Sequence, residues 1–547
     1  MKPYLKDVLN ARNTPQNQPI PGTKQMPNHA GGYAWTVSPW EQLRRFLILG
    51  SEGGTYYVDE RTLTVENAQN VLTCIQEDGV RAVNEIVTIS EGGRAPKNDP
   101  AIFALALAAS VGDEATKKAA FDAVPKVCRI GTHLFAFVET IQSMRGWGRS
   151  VRRAVGDWYN SYTPRDLAYQ IVKYRQRGGW SHMDTLRKAH PTPTTKTHDA
   201  LFKWITKRDQ AAWATDEAIP EDTALAFIHA FERVQKASDE AEILKLIREY
   251  RLPREALPTE ALRSTAVWEA LLQDMPMTAM IRNLGVMSKV KLLMPGSDAA
   301  KKVAAELTNV ERLRKARVHP IAILSAMRVY AKGFGMKGGN PWHVGEQEWI
   351  PVPQVIDALD SAFDLAFQAI TPTNKATMLA LDVSGSMGGG VIAGIAGLTP
   401  REASAAMALV TARTESNYWF AAFQSELTPL NITGKMRLDT VIQAIGNLSF
   451  GSTDCAAPMY YALDRKIKVE AFYVYTDSET WVGTRGHPSQ ALKEYRQKMS
   501  IDAKLVVVGM TATNITIADP NDKGMLDVVG FDTSAPSVMS EFVLGKL

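Results

Sequence analysis

The feature that most constrains the fold is a change of hydrophobic pattern near residue 371. From about residue 35 to 370, apolar residues recur with the spacing of amphipathic helices, and the segments end at Pro, Gly or Asp-rich turns. Beyond residue 371, short apolar runs typical of buried strands alternate with longer helical segments. A chain of 547 residues is also too long for one hydrophobic core. We therefore divide it into residues 1–370 and 371–547.

Residues 1–370 are predicted to form an α-helical repeat array. Ser38 is placed to cap a first helix, with Glu41 three residues later as its capping-box partner. Further helices are predicted over 64–78, 98–111, 116–125, 164–177, 221–236, 239–249, 259–272, 276–285, 299–306 and 320–332. Because helix pairs follow one another with no alternating strand signal, each pair would bury its apolar face against its neighbours.

Residues 371–547 are predicted to form an α/β domain. Four apolar runs read as strands: TMLALD, NYWFAAF, EAFYVYT and AKLVVVG. Helical segments such as PREASAAMALVTARTE and KMRLDTVIQAIGNL separate them. This alternation predicts a parallel sheet covered on both faces. In such a sheet, ligands bind beyond the carboxyl ends of the strands.

The sequence DVSGSMGGG follows the first predicted strand and could serve three chemistries. A phosphate cradle is disfavoured because no Lys follows the glycines. An aspartyl-phosphate enzyme needs a second aspartate two positions after Asp382, where Ser384 stands. What remains is Asp382, Ser384 and Ser386, one carboxylate and two hydroxyls on alternate residues. Such hard oxygen ligands suit Mg²⁺, or Mn²⁺ or Ca²⁺, better than zinc.

Two further oxygen ligands are placed at other strand ends. FGSTDC contains Thr453, and VYTDSET contains Asp477. The order DxSxS, then Thr, then Asp resembles the metal-ion-dependent adhesion site of von Willebrand factor A domains. The alternatives are that the serines only cap a helix, or that the cup forms and stays empty.

Other polar residues near these loops have plainer interpretations. Asp454 is either a second-layer contact or a solvated turn residue, and His487, before a proline, is expected in a surface turn. No nucleophile or general base is evident beside the loops, so we expect a binding protein rather than an enzyme.

A basic and aromatic segment, residues 144–190, stands out in the helical half. Its ten basic residues outnumber its acids by seven, and they are Arg145, Arg149, Arg152, Arg153, Arg165, Lys173, Arg175, Arg177, Arg187 and Lys188. Seven aromatic residues are interleaved with them: Trp147, Trp158, Tyr159, Tyr162, Tyr169, Tyr174 and Trp180. Guanidinium groups for phosphates and rings for stacking bases are typical of RNA-binding proteins. The alternative is a solvated basic surface with the rings in the core.

A helical wheel of residues 164–177 separates two faces. Leu167, Ile171 and Tyr174 fall on one side, and Lys173 and Arg177, four residues apart, fall on the solvent side. The net charge of the whole chain is only +4, so RNA binding would depend on this local clustering.

The segment KYRQRGGWSHMDTLRKAHPTP, 173–193, resembles the signature segment of the Ro 60-kDa autoantigen family, whose helical half is called the TROVE module. Further segments resemble this family in the same order: 29–57, 250–259, 280–287, 318–333 and 379–387. The likeness covers nearly the whole chain. Within the family, the sequence is similar to compact, bacterial-type members.

The resemblance implies a fold and a function. It implies a ring of HEAT-like helix pairs closed by a Rossmann-like von Willebrand factor A domain. It also implies that a small noncoding Y RNA binds the outer basic surface, that single-stranded 3′ ends of misfolded RNAs enter the central hole, and that an exoribonuclease such as polynucleotide phosphorylase is a partner in RNA quality control.

The resemblance also assigns residues. It places Lys173, Arg177 and His190 at positions for Y RNA, with Arg175 and Arg187 as further phosphate contacts. By the same resemblance, the metal ligands are Asp382, Ser384, Ser386, Thr453 and Asp477. Two further cations, in SAMRVYAKG, are expected to line the hole: Arg328 and Lys332.

Two other functions stay open. One is a metal-dependent adaptor that binds an acidic protein ligand and no RNA. The other is a metal-dependent hydrolase, which the missing second aspartate disfavours. The three cysteines form no CxxC pair, the first residues lack a signal-peptide core, and no apolar run is long enough to span a bilayer. We therefore expect a monomeric cytoplasmic protein with no membrane contact.

Overall fold

The computed structural model describes residues 13–207, 210–216, 218–335, 348–367, 370–395, 398–449 and 451–547. The first part is a succession of helices. They are α1 (Pro39–Leu49), α2 (Glu60–Glu91), α3 (Asp99–Val111), α4 (Glu114–Asp122), α5 (Val124–Val127), α6 (Gly131–Arg145), α7 (Arg149–Asn160), α8 (Pro164–Lys173), α9 (His182–Ala189), α10 (Lys196–Thr206), α11 (Thr223–Val234), α12 (Glu240–Tyr250), α13 (Thr265–Gln273), α14 (Met277–Lys289), α15 (Asp298–Leu307), α16 (Val310–Ala316), α17 (Pro320–Lys332) and α18 (Pro353–Leu365).

Strands occur in both parts of the chain. They are β1 (Met26–Pro27), β2 (Tyr33–Thr36), β3 (Gln176–Arg177), β4 (Trp180–Ser181), β5 (Thr377–Asp382), β6 (Tyr418–Phe423), β7 (Leu427–Leu430), β8 (Ala471–Thr476), β9 (Lys504–Gly509), β10 (Ile515–Thr516) and β11 (Met525–Val529). The later helices are α19 (Gly385–Gly388), α20 (Pro400–Thr414), α21 (Leu438–Gly446), α22 (Ala457–Asp464), α23 (Pro488–Met499) and α24 (Ala535–Val543).

Local capping explains where several helices begin. The capping box predicted for α1 is present: the Glu41 amide donates to Ser38 Oγ, and the Ser38 amide donates to the Glu41 carboxylate at 2.9 Å. At the starts of α2, α4, α11 and α12, an aspartate side chain accepts backbone N–H hydrogen bonds. The helix predicted over 320–332 has these bounds in the structure. Of the helices described up to residue 365, six lie outside the predicted set: α6, α7, α9, α10, α16 and α18.

The helix predicted over 164–177 is too long. It ends at Lys173, and residues 176–181 form a two-stranded hairpin in which Arg177 pairs with Trp180. The two residues between them, Gly178 and Gly179, both have positive φ, which is the turn that a two-residue hairpin favours. The wheel that placed Lys173 and Arg177 on one helical face is therefore wrong.

Each helix packs on helices that lie near it in the chain. α1 packs on α2, α2 on α3, α8 on α11, α11 on α12, α12 on α13, α14 on α17 and α17 on α18. Large side chains such as Phe135, Trp158 and Trp268 are fully buried between them. Each helix therefore buries its apolar face mainly against its neighbours in the array.

The second part contains a six-stranded sheet in the order β11–β9–β8–β5–β6–β7. All neighbouring strands are parallel except the edge pair β6 and β7. The four predicted strands are confirmed as β5, β6, β8 and β9, whereas β7 and β11 were not predicted. Because β5 and β8 are adjacent and parallel, Asp382 and Asp477 leave the sheet at the same edge.

The two parts share a small antiparallel sheet that was not predicted. Strand β2 pairs with β1 on one side and with β10 of the second part on the other. Beside it, Arg45 donates to the backbone oxygens of Thr513 and Ile515, each at 2.8 Å, and to the Asp527 carboxylate. The beginning of the helical part is thus fixed to the α/β domain.

The far end of the helical array returns to the same domain. His319, at the start of α17, contacts the backbone oxygens of Arg94 and Phe531. Arg94 also pairs with Asp532. The end of the array therefore meets both its beginning and the α/β domain, and the helices close into a ring.

Two ion pairs reinforce this closure. Arg328 of α17, predicted to line the hole, pairs at 2.5 Å with Glu402 of α20. Arg413 of α20 pairs with Asp360 of α18 at 3.1 Å. Lys332 is exposed at the end of α17.

Candidate functional site

The five residues predicted to hold a metal lie on three loops at one edge of the sheet. Asp382 ends β5, Ser384 and Ser386 lie in the turn and short helix that follow, Thr453 precedes α22, and Asp477 follows β8. All five are buried. We call these five residues the oxygen cup.

Hydrogen bonds inside the cup fix its first and third loops. The Ser384 amide donates to Asp382 Oδ1 at 2.9 Å, and the hydroxyls of Ser384 and Ser386 are 3.0 Å apart. The Ser386 side chain also lowers the pKa of Asp477, against the larger opposing effect of burial. Thr476, which was not predicted as a site residue, donates its hydroxyl to Asp382 Oδ2 at 2.6 Å.

Backbone hydrogen bonds place the second loop beside the other two. The Gly385 amide donates to the backbone oxygen of Gly451 at 3.2 Å. The Trp481 amide donates to the backbone oxygen of Thr453 at 3.1 Å. The structure therefore brings all three loops together.

The electrostatics of the cup favour a cation. Burial raises the pKa of Asp382. Burial, followed by the charges of Asp382 and Glu479, raises the pKa of Asp477 to about 8. Two neighbouring buried carboxylates are costly to ionise together unless a positive charge compensates them. Arg401 donates to the backbone oxygens of Val383 and Ser384 and supplies part of that charge.

The donor set fits a hard cation. No group of three or more His, Cys, Asp and Glu side chains that could hold a metal occurs in the described ranges. An ion in the cup would therefore depend on two carboxylates, the hydroxyls of Ser384, Ser386 and Thr453, and water. Oxygen-only coordination with retained water is typical of Mg²⁺.

Two neighbouring polar residues differ from their plain interpretation. Asp454 is not a solvated turn residue, because its Oδ1 accepts from Gln16 Nε2 at 2.7 Å and from the Ala456 amide at 2.9 Å. His487 is buried rather than in a surface turn, with Nε2 at 2.9 Å from the backbone oxygen of Gln18. Both contact the beginning of the chain, which sequence spacing could not reveal.

The predicted RNA-binding residues lie on the hairpin and the helices around it. Lys173 is half-buried at the end of α8, with Nζ at 3.1 Å from the Tyr169 hydroxyl. Arg175 is exposed, and its guanidinium lies 5.3 Å from the ring centre of Phe231. Arg177, in β3, is about half exposed and pairs with Asp99 at 3.0 Å.

The other two predicted residues lie on α9. Arg187 is exposed and donates to the backbone oxygen of Thr206 at 3.1 Å. His190 ends the helix with φ of 49°, and its backbone amide donates to the Leu186 oxygen at 2.9 Å. The ring of His190 is exposed.

The aromatic residues of 144–190 divide into two groups. Trp158 and Tyr159 are fully buried in the core. Trp147 and Trp180 are half-buried with ring centres 6.0 Å apart, and Lys188 Nζ lies within 5.7 Å of both ring centres. The rings near the surface are therefore paired with cations.

The cations of this segment that reach solvent are together called the basic face. They are the half-buried Lys173 and the exposed Arg145, Arg149, Arg152, Arg153, Arg175, Arg177, Arg187, Lys188 and His190. Beneath it, the buried His182 accepts or donates a hydrogen bond at 2.8 Å to the Tyr159 hydroxyl, and burial lowers its pKa to about 4. A neutral imidazole thus fixes the start of α9 to the core.

Comparisons with known proteins match both parts of the chain to one family. Residues 26–375 match the family model of the TROVE domain, and residues 376–543 match that of the Ro60 vWA domain. An RNA-binding protein RO60 of Deinococcus radiodurans is 41% identical over 551 residues, covering 100% of both chains. This chain belongs to the Ro60 family.

A second member of the Ro60 family and a solved structure extend the match. The RNA-binding protein RO60 of Caenorhabditis elegans is 36% identical over 594 residues, covering 96% of this chain and 90% of that protein. The crystal structure of the Deinococcus radiodurans Ro (Rsr) protein aligns with a TM-score of 0.68 at 41% identity, covering 93% of this chain and 100% of that one. In this Ro60-family protein, no described helix is long and apolar enough to cross a membrane.

Proposed function

We propose that this Ro60-family protein is an RNA-binding ribonucleoprotein scaffold. It carries a small noncoding Y RNA on the basic face, receives single-stranded 3′ ends of misfolded RNAs in the central hole, and passes them to an exoribonuclease such as polynucleotide phosphorylase. Two relatives, from Deinococcus radiodurans and Caenorhabditis elegans, are named as RNA-binding proteins, which supports RNA binding. The three cysteines are free thiols, which supports a reducing cytoplasm as its place of action.

The observation that carries the proposal is the composition of the basic face. Its exposed arginines lie at the end of α6, on α7, on α9, and on or next to the hairpin, and Lys188 Nζ lies within 5.7 Å of the ring centres of the half-buried Trp147 and Trp180. Cations that neutralise phosphates release counterions, and exposed rings stack on unpaired bases. A protein surface with both features is typical of RNA-binding proteins.

The test is the affinity for a structured Y-like RNA as a function of salt. Lys173→Ala with Arg177→Ala should weaken binding at moderate salt and reduce the slope of log K against log salt by about one per lost phosphate contact. The control is Lys493→Ala with Lys498→Ala, which removes two exposed charges from α23. Equal losses in both variants would point to overall charge and contradict the basic-face assignment.

We also propose that the oxygen cup binds one divalent cation, with Mg²⁺ favoured. Asp382, Ser384, Ser386, Thr453 and Asp477 would hold it. A bound ion would present positive charge to a carboxylate of a protein ligand. The buried pair of carboxylates supports this proposal, because a cation would offset their repulsion.

The cup also supports a second candidate function, a metal-dependent protein-binding adaptor that carries no RNA. The two functions differ in what accompanies the protein when it is purified gently from its host. Co-purified small structured RNA supports the scaffold, whereas RNA-free protein bound to an acidic partner supports the adaptor.

A further inference from the structure

Every loop of the oxygen cup is held by residues from the beginning of the chain. We call residues 13–57 the N-terminal clamp. It belongs to the helical part, and strand β2 within it pairs with β10 of the α/β domain. The clamp contacts the cup at three places.

The second loop is held by Gln16, a fully buried residue. Its Nε2 donates to Asp454 Oδ1 at 2.7 Å, next to Thr453 of the cup. Its Oε1 accepts from the Thr480 hydroxyl, and its backbone amide donates to the Gly483 oxygen at 2.8 Å. One side chain thus joins the second and third loops.

The third loop is held by Asn28 and His29. Asn28 Nδ2 donates to the backbone oxygen of Thr480 at 2.7 Å. His29 Nδ1 lies 2.7 Å from Glu479 Oε1, and the Ala30 amide donates to the other oxygen of that carboxylate at 3.1 Å. Glu479 is buried, two residues after Asp477, and every one of these contacts crosses between the two parts of the chain.

The first loop is held by Tyr56. A Cβ on Gly389 would lie 2.7 Å from the Tyr56 ring, so this glycine allows the loop to pack against the clamp. Gly389, one of the three glycines after DxSxS, therefore serves a close approach between the two parts of the chain.

We propose that the N-terminal clamp positions the oxygen cup: an ion bound by the three loops stabilises docking of residues 13–57, and docking holds the loops at the spacing that the ion needs. The inference rests on the proposed binding of a divalent cation by the cup. Because the two events are linked, each must change the other by the same factor. Gln16 and His29 act through other residues and are positioning residues, not metal ligands.

The first test measures Mn²⁺ affinity by calorimetry on the full chain. Gln16→Ala with His29→Ala should bind Mn²⁺ about 5- to 20-fold more weakly than the parent, within the usual range of coupling between sites. Gln18→Ala, an exposed residue of the same segment, should leave the affinity unchanged. Asp382→Ala should abolish binding. Equal affinity in the parent and the Gln16/His29 variant overturns the coupling.

The second test needs no change in the clamp and covers the case in which the double variant does not fold. Hydrogen exchange of residues 13–57 is followed with and without Mn²⁺ in the parent and in Asp382→Ala. We expect Mn²⁺ to slow exchange in the parent by a factor similar to the loss of affinity, and to have no effect in the variant. Unchanged exchange in a parent that binds Mn²⁺ overturns the inference, whereas a parent that binds no Mn²⁺ overturns the cup itself.

Discussion

His319 Nε2 lies 2.9 Å from the backbone oxygen of Phe531, and this hydrogen bond joins the last part of the helical array to the α/β domain. The same nitrogen lies 3.1 Å from the Arg94 oxygen, while Nδ1 accepts the Ile321 amide at the start of α17. These partners assign the neutral tautomer with the proton on Nε2. A single imidazole thus contacts the beginning of the array, its end and the domain that closes the ring.

The ring closure should weaken in acid because of His319. Burial lowers its pKa to about 4, below the value near 6.5 of an unfolded histidine. Between pH 4 and 6.5 the unfolded state therefore binds more protons than the folded state. The contribution of His319 to the free energy of unfolding is fully present above pH 6.5 and is lost as the pH falls toward 4. The fall should reach about 3 kcal/mol for this residue, at about 1.4 kcal/mol per pKa unit.

The measurement compares the melting temperature from pH 7 to pH 4 in the parent and in His319→Gln. The variant should melt lower at pH 7 and lose less between pH 6.5 and 4. His133 and His182 have pKa values lowered to about 4 in the same way, so only the difference between the two proteins reports on His319. Parallel pH profiles would contradict the prediction.

Arg45→Met should be strongly destabilising, because it leaves the buried Asp527 without its guanidinium partner. Breaking a buried pair by removing one partner costs about 3–5 kcal/mol. Arg44→Met is the matched control, because Arg44 is 37% exposed and pairs with Glu85. Loss of an exposed pair costs about 0–1 kcal/mol. The measurement is the free energy of unfolding of both variants in urea. Similar losses of this free energy would show that Arg45 does not anchor the ring.

Asp99→Asn should strengthen RNA binding. Arg177 and Asp99 are each 49% exposed and form an ion pair that competes with a phosphate for the same guanidinium. An exposed pair contributes at most about 1 kcal/mol, so affinity should rise about two- to fivefold. The gain should vanish in Asp99→Asn with Arg177→Ala. A gain in RNA affinity that persists without Arg177 would mean that the loss of the Asp99 charge acts through the overall charge of the protein and not through Arg177.

Asp382→Ala should lose divalent-metal binding while the fold survives, because Asp382 is the last residue of β5, at the end of the sheet. In the parent, a saturating ion should raise the melting temperature. An ion concentration of 100 times Kd should add about 2.7 kcal/mol to the free energy of unfolding. The variant should show no rise with Mg²⁺ or Mn²⁺ and an unchanged circular dichroism spectrum. RNA affinity should stay the same, because the basic face lies in the other part of the chain. Equal Mg²⁺ binding in the variant would refute the five-residue assignment.

Signals in the sequence located the cup better than the basic face. Asp382 was found because it follows a continuous apolar run, and a buried parallel strand must end where such a run ends. The helical periodicity of the sequence continues past Lys173 and misplaces Arg177, whereas the Gly178–Gly179 pair signals the turn of the hairpin. Strands of two residues are too short to show the alternation of apolar and polar residues by which a strand is predicted.

The sequence alone determined the change from helices to an α/β domain, the start of α1, four strands of the sheet and the oxygen-bearing side chains at their ends. These follow from local rules of periodicity, capping and strand burial that act over a few residues. Only the tertiary structure decided that Trp158 is core while Trp147 lies at the surface, that Arg328 pairs with Glu402, and that Gln16 and His29 hold loops more than 400 residues away. Such contacts depend on how distant segments pack, and no short-range pattern in a chain encodes them.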